Sequence, residues 1–276
     1  MLDSPGGKIK TRRIRSALCV AAAAVWVVAA GCAPDAPAAR QSPLDAELVT
    51  AATSGNDAQL RDLLRRGASP DARGGEHPAP ALAAAILASR PYLTAEYSNP
   101  DGTGGSMREE ASFMDRSDEL RGTGWKKIRI ERNEGCRRAA LALIDAGADV
   151  NAEGGLPVLL AARVWDAEVL RRLLARGGDA NAVDKEGMSA LAWAAQHGRN
   201  ECVKILLAQG AQVDHREKHG ATPLVLAVRD RHTETVRLLL AAGADPNLPD
   251  TSLLGRMENE GQKEIARLLI EHGGRR

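Results

Sequence analysis

Residues 187–213 and residues 220–247 carry one pattern twice. Superimposing them puts Gly187 on Gly220, Leu191 on Leu224, Leu206 and Leu207 on Leu239 and Leu240, and Gly210 on Gly243, always 33 residues apart (220 − 187 = 33). Each copy reads as two short helices and a turn. Leu191, Ala194 and Ala195 share one helical face, and their small side chains admit a close neighbour. Val203, Leu206 and Leu207 form a second stripe that stops at Gly210, as a left-handed helix end requires. Neither helix can bury its stripe alone, whereas stacked copies can. The period therefore dictates a solenoid whose core runs from unit to unit.

The residues at the turns resemble the ankyrin repeat family: Gly-x-Thr-Pro-Leu at 220–224, Gly-Ala-Asp-Pro-Asn at 243–247 and Gly-Ala-Asp-Val-Asn at 147–151. The histidine that often follows Thr-Pro-Leu in that family is Val225 here and Ala192 in the other copy. The resemblance implies an all-α ankyrin-repeat solenoid with a protein-binding face and no catalytic role.

The same spacing yields about six units over residues 44–276. The first uses Leu48, Ala51 and Ala52, then Leu60, Leu63 and Leu64, with Asp45, Glu47 and Thr50 suited to a solvent-facing end. In the second, Ala81 and Leu82 open one helix and residues 138–141 resume the other. Gly67 to Gly147 spans 80 residues (147 − 67), or 47 more than one period, so residues 90–137 are an insertion within the second unit. The third unit uses Val158, Ala161, Ala162, Leu170, Leu173 and Leu174, with its leading loop shortened around Gly154 and Gly155. The sixth keeps Ile265, Leu268 and Leu269 but carries Arg256, Glu258, Asn259 and Glu260 on its first helix, as a terminal cap needs.

Tyr92, Tyr97, Phe113 and Trp125 all fall in the insertion, including both tyrosines and the only phenylalanine of a chain that is 3% aromatic. A core of Ala, Leu and Val does not need them. Ser106 to Glu109 has the form of a capping box, and Met107, Ala111, Met114 and Leu120 could share a face, so a short helix flanked by loops is expected. The aromatics form a candidate binding patch on an edge different from the usual ankyrin face.

The N-terminus reads as an address. Five Lys or Arg precede the apolar run at 17–30, which at 14 residues (30 − 17 + 1) is shorter than the ~20 a spanning helix needs. Residues 1–31 are expected to be a signal peptide. Ala29-Ala30-Gly31-Cys32 resembles the lipobox of bacterial lipoproteins, which implies lipidation of Cys32 and a lipid anchor. Ala33 in place of Asp implies sorting to the outer membrane, with the folded part facing the periplasm. Residues 32–43, with Pro34, Pro37 and Pro43, make a flexible tether. Without the signal the charge is 32 − 35 = −3, which argues against a nucleic-acid partner.

His215 and His219 flank Glu217 at a zinc-like spacing, but they lie in a loop where helical spacing does not apply, so no metal site is expected. Cys136 and Cys202 belong to separated units and are not expected to bridge. No catalytic motif appears, and neither a cofactor nor a small-molecule substrate is expected. By analogy with variable ankyrin positions, the candidate partner-binding residues are Arg163, Val164, Lys185, Glu186, Met188, Gln196, His197, Lys218, His219, Arg229 and Asp230. The expected function is a membrane-anchored scaffold or modulator of another protein; the alternative is an inhibitor or immunity protein that neutralises a toxin or enzyme in the cell envelope.

Overall fold

A computed structural model describes residues 42–74, 77–98, 104–110, 125–247 and 263–275. The signal, Cys32, nearly all of the tether and the first helix of the sixth unit lie outside these residues. The helices are α1 (Pro43–Ser54), α2 (Asp57–Arg65), α3 (Ala81–Ala88), α4 (Glu134–Asp145), α5 (Ala152–Arg163), α6 (Ala167–Ala175), α7 (Ala190–Gln196), α8 (Asn200–Ala208), α9 (Pro223–Arg229), α10 (Thr233–Ala241) and α11 (Lys263–Glu271).

Local chemistry sets their ends. Ser189 and Thr222 cap α7 and α9 through side-chain bonds to Ala192 N and Val225 N, and Pro223 occupies the first turn of α9, where its missing N–H costs nothing. Helix α5 is interrupted at Glu153, Gly154 and Gly155, all at positive φ, so its regular part starts at Leu156. This break is the shortened loop expected around Gly154 and Gly155.

The helices stack in two layers. The inner layer runs α1, α3, α5, α7, α9 and the outer layer α2, α4, α6, α8, α10, α11, each helix packing on the next in its layer and on its partner across the layers. The stripes read from the sequence form one continuous core: Leu48, Leu60, Leu63, Leu82, Val158, Leu170, Leu173, Leu191, Val203, Leu206, Leu224, Leu239, Ile265 and Leu269 are all buried. Between layers of successive units runs a short antiparallel pairing, β1 (Arg73–Gly74) with β2 (His77–Pro80).

A ladder of side chains ties the turns together. The backbone N–H groups of Asp149, Asp179, Gln212, Asp245 and Arg275 each donate to the side chain of the Asp or Asn that ends the preceding unit, namely Asp71, Asn151, Asn181, Asp214 and Asn247. Donors that would otherwise be lost in a tight turn are satisfied by a neighbour.

The insertion departs from expectation. It is a three-stranded antiparallel sheet in the order β4-β3-β5, with β3 at Pro91–Ser98, β4 at Gly104–Glu110 and β5 at Trp125–Arg132. The segment read as a capping box, residues 106–109, is therefore strand. The register places Thr94 opposite Arg108 and Arg129, and Glu96 opposite Ser106 and Lys126. Long-range strand pairing overrides a weak local helix signal. Helix α4 also begins earlier than read, at Glu134 behind the cap Asn133, which shortens the insertion at its C-terminal side.

Candidate partner-binding surface

Three units bring their inner-helix ends and hairpins together on one face. Asp184, in the hairpin before α7, accepts from the N–H groups of Glu186 and Met188 with Oδ1 and from Trp193 Nε1 with Oδ2 at 3.0 Å. In the next hairpin Glu217 accepts from the N–H groups of His219 and Ala221, and His215 Nε2 donates to Gly187 O at 2.9 Å. His215 is thus a loop brace. Among the described residues no group of three or more His, Cys, Asp or Glu is placed to hold a metal ion.

From Trp193 an aromatic and cationic ribbon crosses the units. The Arg163 guanidinium lies 5.2 Å from the Trp193 ring centroid, and His197 stacks on Trp193 at 6.0 Å with planes 16° apart. On its other side His197 meets Trp165 edge-on at 6.1 Å, and Arg199 covers Trp165 at 3.5 Å. Such contacts hold wide, flat side chains at low entropic cost. Burial, then the nearby Arg199 charge, pushes the His197 pKa down, so the ring is neutral at physiological pH. Burial, then the like charge of Arg90, pushes Arg163 down to about 10.

Trp165 holds an unusual position. Its φ of 59° is left-handed, as at the equivalent Gly55 and Gly198 between the helices of the first and fourth units. A bulky residue there is strained. Its indole Nε1 is buried, with no hydrogen-bond acceptor among the described residues. Arg132, the last residue of β5, fastens this turn by donating to Val164 O, Trp165 O and Asp166 at 3.1, 3.2 and 3.3 Å. The insertion is thereby bound to the third unit, and its first residue, Arg90, acts on Arg163.

The residues proposed from sequence divide as follows. Arg163, Gln196, His197, Arg229 and Asp230 gather at the inner-helix ends; Arg229 pairs with Asp230 at 3.0 Å, and Gln196 O accepts from His232 Nε2. Lys185, Glu186, Lys218 and His219 are exposed on the hairpins, with Lys218 and Glu186 paired at 3.3 Å. Val164 is 2% exposed and Met188 9%, the latter packed with Ala192 and Leu226, so both leave a partner little side chain to touch. Tyr92 and Tyr97 lie in β3, and Tyr97 is in register with Trp125 of β5. Phe113 lies outside the described residues. Trp165, Trp193 and Arg199 were missed by sequence reasoning. The available signal was their size: two tryptophans inside repeats otherwise built of small aliphatics.

Cys136 and Cys202 are buried free thiols in different units. Cys136 Sγ donates to Thr53 O at 3.2 Å, and burial raises the Cys202 pKa to about 11.

Stacked helix pairs joined by short hairpins, with positive-φ glycines closing each outer helix, define an ankyrin array. A family model described as Ankyrin repeats (3 copies) matches residues 158–250, from the third unit through the fifth. The chain therefore carries ankyrin repeats, and the helix pairs before residue 158 and α11 after it continue the same stack. Such repeats are generally protein–protein interaction modules and are typically non-catalytic. Among curated proteins, none matches the sequence.

Proposed function

We propose that this protein is a lipid-anchored component of a bacterial cell envelope that uses its ankyrin array to hold or modulate another protein in the periplasm. The observation that carries the binding part is the ribbon Arg163, Trp193, His197, Trp165 and Arg199, which places cation–aromatic pairs at the inner-helix ends and turns of two consecutive units. Trp and Arg are the side chains most often found at energetic centres of protein interfaces, because each buries a large area and still offers directed polar contacts. The anchoring part rests on the sequence before Cys32. Three acyl chains on that residue would hold the protein at the membrane, since one chain alone binds only marginally. Among the described residues no helix is long and apolar enough to cross a membrane.

The test is crosslinking and purification from host membranes, comparing the native chain with the double variant Arg163→Ala, Trp193→Ala. Loss of a specific partner in the variant supports the reading. Recovery of no partner by the native chain overturns it. A stoichiometric complex with an enzyme, with loss of that enzyme's activity, would identify the modulator as an inhibitor.

A further inference from the structure

The insertion sheet has two outer edges, and their charges differ. Among the described residues no strand pairs with the outer edge of β4 or of β5. Strand β5 carries Lys126, Lys127 and Arg129 against Glu131, a net of +2 (3 − 1), besides Arg132, which is paired with Asp166. Strand β4 has Arg108 against Glu109 and Glu110, a net of −1, and β3 has Glu96 alone, also −1. Positive charge is thus segregated to one edge of a small sheet.

We propose that the outer edge of β5 accepts an extended acidic segment of the partner protein as a fourth strand. This rests on the protein-binding reading above and specifies the chemistry of the partner. An edge strand presents unpaired N–H and C=O groups at a fixed spacing, and an added strand satisfies them without any change in the sheet. Eight residues of β5 offer an edge of roughly 26 Å at about 3.3 Å per residue. Charge then selects the occupant. Lysine on an edge repels a second edge of the same kind, so a β5-to-β5 dimer is disfavoured, while an added strand that sets acidic residues on the face of Lys127 and Arg129 gains attraction there. Arg132 also fixes the end of β5 to the turn after α5, so the edge is held by the array rather than swinging on a tether.

The experiment uses the mature chain and an eight-residue peptide of alternating glutamate and valine, with binding read by fluorescence anisotropy. Two control peptides accompany it: one with lysine in place of glutamate, and one N-methylated at alternate residues, which keeps the charge and removes half the backbone donors. The expected result is saturable binding of the acidic peptide alone. Lys126→Glu, Lys127→Glu, Arg129→Glu should weaken it at least about tenfold, as should the gentler triple change to Gln, which guards against a folding defect. Equal binding of the N-methylated peptide overturns strand addition, and no binding of the acidic peptide overturns the inference outright. Self-association of the free chain that the triple variant abolishes would assign the edge to a second copy and likewise overturn it. If the native partner is lost with Arg163→Ala, Trp193→Ala yet retained by the β5 triple variant, this inference fails while the proposed function stands. If the native chain captures no partner at all, the proposed function fails, and the peptide result alone decides the edge.

Discussion

Asp166 joins the insertion to the array, and replacing it tests that junction quantitatively. Its side chain is 3% exposed, accepts from Val169 N at 3.1 Å as the cap of α6, and pairs with Arg132 at 3.3 Å and Arg137 at 3.2 Å. Loss of the cap in Asp166→Ala costs about 1 kcal/mol. A fully buried pair broken from one side costs about 3–5 kcal/mol and an exposed pair about 0–1. Arg132 and Arg137 keep 23% and 30% of their side-chain surface in water, so roughly 1 kcal/mol for each is reasonable. The total for Asp166→Ala is roughly 3 kcal/mol. Asp166→Asn keeps a good cap and loses only the charge, so it should cost roughly 2. Urea titration of the mature chain gives both values from the shift in midpoint at constant slope. The double variant Asp166→Ala, Arg132→Ala should show a coupling of at least about 0.5 kcal/mol. An alanine cost under about 1 kcal/mol, or equal costs for Ala and Asn, would refute the account of how the insertion is held.

Other outcomes follow from single features. Gly198→Ala places a Cβ within 2.6–2.9 Å of the His232 ring at a φ of +63°, so strain plus loss of the bond to Gln196 O should destabilise the chain by roughly 2–3 kcal/mol, read by thermal melting. The folded His197 titrates below its ordinary value of 6.5, so the unfolded chain binds its proton first and stability is lost as pH falls below that value. Urea midpoints at neutral and mildly acid pH should therefore diverge in the native protein and less so in His197→Gln. A thiol reagent at mildly alkaline pH should leave both Cys136 and Cys202 unmodified until the protein is denatured, because both are buried and Cys202 titrates near 11. Finally, Cys32→Ser should move the protein from the detergent-soluble membrane fraction to the periplasmic extract; unchanged partitioning would remove the lipid anchor.

The array was legible because its information is local and repeated. Leu191, Ala194 and Val203 announce the same packing as Leu224, Ala227 and Val236, and each copy corroborates the other. The insertion was not legible in the same way. Its strands join Pro91 to Arg132 and Tyr92 to Glu110, pairings that no short window contains, whereas Ser106 and Glu109 offered a local helix cue. For the binding surface, Arg163, His197 and Asp230 were found by position within the repeat. Trp193 and Trp165 escaped because nothing in the repeat period marks their positions. That the indole of Trp193 braces Asp184 emerges only in three dimensions.

The ladder of turn side chains runs past the insertion without a gap: Asp149 N bonds to Asp71 Oδ1 across 78 residues of sequence as the later rungs do across about thirty. The second unit is therefore an open socket. Lengthening a turn from about 3 to about 44 residues adds only roughly 2.4 kcal/mol of closure entropy, since the cost grows with the logarithm of length. Pairing of Pro91 with Arg132 at the base of the sheet draws the two chain ends together, so the grafted module meets that cost within itself. Any module closed in this way between Ser89 and Asn133 should leave the stack beneath it unchanged.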